Sequence, residues 1–112
     1  MTEDHKKQLM QSVYKLAEHY QIPNATLVPF KKRSVLLELL QTKNEKAFEL
    51  VSDVLEISMR LDRIENDKEK QAKKLDHWTE EVASVTTEKN TAIETLLEFF
   101  KKEGINSEGI NF

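Results

Sequence analysis

The chain has 112 residues, 38% of them hydrophobic and 33% charged, with two glycines, two prolines, no cysteine and a formal net charge of −3. That length provides for one buried core and not two, and the lack of cysteine excludes disulfides and thiolate zinc sites. So much charge with so little glycine and proline favours helices whose charged faces stay in water, and the apolar residues recur with a period, which disorder does not require.

A first helix is expected over residues 3–20. Leu9, Val13, Leu16, Ala17 and Tyr20 recur at spacings of three and four, with Met10 beside them. Thr2 is placed to cap it, and Glu3 and Asp4 suit the positive end of its dipole. Pro23 should stop it, because the residue before a proline is pushed out of the helical region. An irregular connection follows over residues 24–29.

Phe30, Val35, Leu36, Leu37, Leu39 and Leu40 predict a second, short helix over residues 31–41. Its N-terminus meets Lys31, Lys32 and Arg33, the wrong sign for the helix dipole. Charge is uneven along the chain. Residues 1–22 carry three charges of each sign, residues 23–44 carry four positive and one negative, and residues 45–112 carry ten positive and sixteen negative. A basic patch therefore sits on an acidic chain, an asymmetry that bears on contacts with nucleic acid or acidic protein.

The sequence Thr-Lys-Asn-Glu at 42–45 has the spacing of a capping box, with Thr42 as cap and Glu45 reaching back, so a new helix should begin there. Residues 43–103 contain neither glycine nor proline. A heptad seam can be written through them without a break: Ala47, Leu50, Val54, Ile57, Leu61, Ile64, Lys68, Gln71, Leu75, Trp78, Val82, Val85, Lys89, Ala92, Leu96 and Phe99. Thirteen of these sixteen are apolar, the mark of a coiled coil. Phe48, Val51, Leu55 and Met59 add a second apolar face near the start, and Ile93, Leu97 and Phe100 do so near the end. Both ends must then bury more than a two-stranded seam does, and the first two helices are expected to cover the first of them.

Two architectures satisfy this pattern. In one, a single long helix of roughly 90 Å, at about 1.5 Å per residue, pairs with its twin. In the other, the chain turns near Asn66 and Asp67 and folds back as an antiparallel hairpin in a four-helix bundle. The unbroken register and the lack of glycine in the polar stretch 65–74 favour the first. Gly104 is placed to end the helix in a left-handed cap, with Ile105 against Phe100 and with Lys101 and Lys102 at the negative dipole end.

The histidines, His5, His19 and His77, are scattered. His77 and Glu81 share a helix face, but a metal site needs further ligands. No glycine precedes position 104, so no phosphate-cradling loop or nucleophile elbow is available. No catalytic residue, metal or cofactor is expected.

Lys31, Lys32, Arg33 and Ser34 are the candidates for phosphate contact. Trp78 at a seam position fits either a wider core or a partner anchor. With Phe48, Leu55, Met59, Leu97 and Phe100 it makes the candidate partner-binding set. Leu50, Val54, Ile57, Leu61, Ile64, Leu75, Val82, Val85, Leu96 and Phe99 are the candidate oligomerisation seam. Ile105, Ile110 and Phe112 could make the tail a docking motif, although frayed termini are the default.

The sequence thus describes an all-α chain: a small helical head at residues 1–42, a heptad-patterned long helix at 43–103 and a flexible tail at 104–112. The function it suggests is non-enzymatic protein binding, as a regulator, inhibitor, assembly chaperone or scaffold, with a homodimer as the expected state. A dimeric nucleic-acid-binding regulator is the alternative. No small-molecule substrate is expected. The first eight residues are charged, with no signal-like apolar run after them, and no stretch approaches the roughly 20 apolar residues a membrane span needs, so the cytoplasm is the expected location.

Overall fold

The computed structural model describes residues 3–70, 75–108 and 110, with backbone alone for 67–70 and 75–79. Helix α1 spans Glu3–His19 and buries Leu9, Met10, Ser12, Val13, Leu16 and Ala17. Its end comes before Pro23 can act. Gln21 takes a left-handed conformation with φ 59°. The Ile22 N–H donates to the Ala17 carbonyl at 2.8 Å and the Gln21 N–H to that of Glu18 at 3.1 Å, which is the Schellman pattern.

Two 3-10 turns, Ala25–Leu27 and Phe30–Lys32, carry the chain to helix α2, Arg33–Lys43. The first turn is anchored by the Tyr14 hydroxyl, which donates to the Val28 carbonyl at 2.7 Å. In α2, Leu36 and Leu40 point inward and are buried.

Helix α3 spans Glu45–Lys70, and its cap differs from the expected box. Thr42 belongs to the last turn of α2, where its hydroxyl donates back to the Leu39 carbonyl at 2.6 Å. Asn44 is the cap: its backbone is extended, and its Oδ1 accepts from the Ala47 N–H at 3.1 Å. Thr42 is still helical within α2, so the extended position a cap requires falls two residues later, at Asn44.

Helix α4 spans Leu75–Glu103 and packs along α3, with Arg60 paired to Glu88 across the two helices. A continuous helix cannot pack against itself, so the folded-back hairpin, and not the long rod, is the arrangement of this chain. Its longest dimension is 49 Å, about half that of the rod. The reversal does not fall at Asn66 and Asp67, which lie within α3; residues 71–74, between the two helices, lie outside the described residues. At the far end Gly104 has φ 75°, and the Ile105 N–H donates to the Phe100 carbonyl at 2.8 Å, completing the expected cap.

Folding back brings the two doubly apolar ends together. Val51, Val54 and Leu55 of α3 and Leu96 and Phe100 of α4 join Leu9, Met10, Val13, Leu16, Leu36 and Leu40 in one buried cluster. Helices α1 and α2 cover the start of α3, and the distal hairpin stands as two helices, with Ile64 and Val85 buried there.

Candidate functional site

Of the seam residues, Leu50, Val54, Ile64, Val85 and Leu96 are buried within the single chain. Ile57, Leu61, Val82 and Phe99 are half-buried, and the side chains of Leu75 and Trp78 lie outside the described residues. The seam expected to pair two chains therefore pairs two helices of one chain.

The candidate partner-binding residues divide in the same way. Phe100 and Leu55 are buried, so neither is a free surface. Phe48 is partly buried against the core, and Leu97 lines a depression beside Ile105 and Asn106. Ile105 and Ile110 of the tail pack on the core of their own chain, and Phe112 lies outside the described residues.

Met59, Phe48 and Leu55 meet Arg33 and Ser34 in a groove of about 460 Å³ between α2 and α3, completed by Leu37, Glu38, Gln41, Ser52 and Glu56. On α3 these positions recur every three or four residues, and α2 supplies the other wall. Arg33 is not a free cation here. Its guanidinium stacks 4.2 Å from the Phe30 ring centroid, its Nη1 donates to the Phe30 carbonyl at 3.0 Å, and its Nη2 contacts Met59 Sδ at 3.5 Å. Of the four phosphate-contact candidates, Lys31, Lys32 and Ser34 are exposed.

The outer face of α2 is a surface the sequence reading did not single out. Leu27, Val35 and Leu39, at 77%, 55% and 47% exposure, are the exposed large apolar side chains among the described residues, and all lie within residues 27–39. Val35 and Leu39 are neighbours one helical turn apart, and Lys31 and Lys32 lie at the start of the same segment. The missed signal was density: five apolar residues among the six at 35–40 exceed what one buried face of a short helix can hold.

Two phenols are perturbed. Burial raises the Tyr14 pKa above its ordinary value near 10.0. Burial, and then the negative charge of Glu103, raise that of Tyr20, against the lowering effect of a hydrogen bond from Asn44. His5 Nδ1 lies 3.5 Å from Asp62 Oδ2, joining α1 to α3. Among the described residues no three potential ligands gather to hold a metal, and no helix is long and apolar enough to cross a membrane.

No protein-family model, curated protein or solved structure matches the chain.

Proposed function

We propose that this chain is a non-enzymatic protein-binding module and that the outer face of α2 is its docking surface. The observation that carries this reading is the exposure of Val35 and Leu39 one turn apart on α2, with Leu27 exposed in the turn before it, while Leu50, Val54, Leu55, Leu96 and Phe100 of the hairpin are buried within the chain. Large apolar side chains grouped on a surface mark interaction sites, whereas single ones carry no such meaning. Neighbours at i and i+4 on an exposed helix are the anchors that a helix lays into a partner's groove.

The mechanism is occupancy. The head presents α2 on a scaffold made rigid by Leu36 and Leu40 beneath it, so that little order has to be gained on binding. A regulator, inhibitor, assembly chaperone or scaffold would all use such a face. The reading does not depend on the expected homodimer, since seam residues such as Leu50, Val54 and Leu96 are buried within one chain. The nucleic-acid reading is weakened by the loss of Arg33 to Phe30 and Met59, which leaves a small basic footprint.

The test is a comparison of proteins captured from a lysate of the source organism by the intact chain and by a Val35→Ser/Leu39→Ser variant of equal stability. A partner captured by the first and lost with the second is expected. Identical capture by both ends the reading.

A further inference from the structure

The charges beside the exposed apolar pair narrow the partner's chemistry. Residues 23–44 carry Lys31, Lys32, Arg33 and Lys43 against the single acid Glu38, although the chain as a whole is negative. Lys31 and Lys32 are exposed at the N-terminal end of α2, where the positive end of the helix dipole adds to their field. Val35 and Leu39 continue the surface from there. From this juxtaposition we infer that the α2 face takes an acidic amphipathic helix of another protein, whose apolar ridge covers Val35 and Leu39 and whose carboxylates meet Lys31 and Lys32. The inference rests on the docking surface proposed above.

Other occupants fit less well. A second copy of α2 would bring an excess of like charge against the same excess, a repulsion that short range makes costly. A duplex offers phosphates for the lysines and nothing for Val35 and Leu39. A lipid surface needs a broad apolar face, and α2 has committed Leu36 and Leu40 to the core. An acidic helix matches both halves of the surface at once.

The probes are two synthetic helical peptides with the same apolar ridge, one flanked by glutamates and the other by lysines, titrated into the full chain while amide chemical shifts are followed. The glutamate peptide is expected to shift the amides of residues 31–42, to weaken as salt is raised, and to bind about tenfold more tightly than the lysine peptide. A Lys31→Glu/Lys32→Glu variant should invert that order, which a general loss of structure would not do. Equal binding of both peptides at α2 overturns the acidic class while leaving the docking surface standing. Binding of neither peptide, or binding instead of phosphatidylserine vesicles or duplex DNA with the same dependence on Lys31 and Lys32, also overturns it. The capture comparison with the Val35→Ser/Leu39→Ser variant reads the docking surface independently of either result.

Discussion

Asn44 ties the start of α3 to the end of α1: its Oδ1 accepts from the Ala47 N–H at 3.1 Å while its Nδ2 donates to the Tyr20 hydroxyl oxygen at 2.8 Å. Losing a cap costs about 1 kcal/mol and losing a hydrogen bond about 1 kcal/mol more, so Asn44→Ala should destabilise by about 2 kcal/mol. Tyr20→Phe should cost about half as much, with the two non-additive by the shared bond. Thr42→Ala should change stability by less than about 0.5 kcal/mol, as an exposed side chain bonded only to its own helix. Urea unfolding of the three variants checks this, and a Thr42 effect as large as that of Asn44 would restore the capping box.

Gln21 and Gly104 occupy equivalent left-handed positions at the ends of α1 and α4, with φ 59° and 75°. Gln21→Gly should raise stability by about 0.5–1 kcal/mol, by removing a side chain from a conformation only glycine adopts freely. Gly104→Ala should lower it by about 1 kcal/mol. An added Cβ at 104 meets nothing within 4 Å, so that cost is conformational and not steric. Thermal unfolding of both variants reads the opposite signs.

Leu36 and Val35 are adjacent in sequence and opposite in consequence. Leu36→Ala removes a fully buried side chain and should cost about 2–5 kcal/mol. Val35→Ser, at an exposed position, should stay within about 0.5 kcal/mol and so serve as a stable reagent for binding tests. A large loss at Val35 in denaturant titrations would mean that its face is structural.

Raised phenol values give an alkaline limit. The unfolded chain releases its tyrosine protons near pH 10, before Tyr14 and Tyr20 do in the folded state, so their contribution is intact below that pH and is lost as pH climbs through the folded values. Stability should therefore fall above pH of about 10. Tyr14→Phe should flatten that fall while costing about 1 kcal/mol at neutral pH through the lost bond to Val28. Denaturant titrations across the alkaline range test it; a stability that rises there contradicts the burial.

Small-angle scattering distinguishes hairpin from rod. The hairpin has a Cα radius of gyration of 15.1 Å. A uniform rod of about 90 Å would give roughly 26 Å. A value near the smaller number is expected, together with the mass of a single chain.

Local sequence by itself determined where α1 and α2 lie and how α4 ends, but not the break between α3 and α4 or the cap of α3. The three-and-four spacing of Leu9, Val13 and Leu16 made α1 legible, and Gly104 with Ile105 made the close of α4 legible, because the forces involved act within one or two turns. The stripe of Phe48, Leu55 and Met59 could likewise be read as a second apolar face of α3. What covers that face could not, and only the tertiary structure decided it. A heptad seam states that a helix has a partner without stating whether the partner belongs to the same chain, since Leu50 and Val54 gain the same burial either way. The leucine cluster of α2 could not declare which of its members faces water, because that depends on where α1 and α3 lie. Nor could the basic run show that Arg33 stacks on Phe30 while Lys31 and Lys32 stay exposed. Those outcomes rest on contacts between residues distant in sequence, such as Arg33 with Met59 and Tyr20 with Asn44, whose geometry exists only once α1 and α2 have packed on α3.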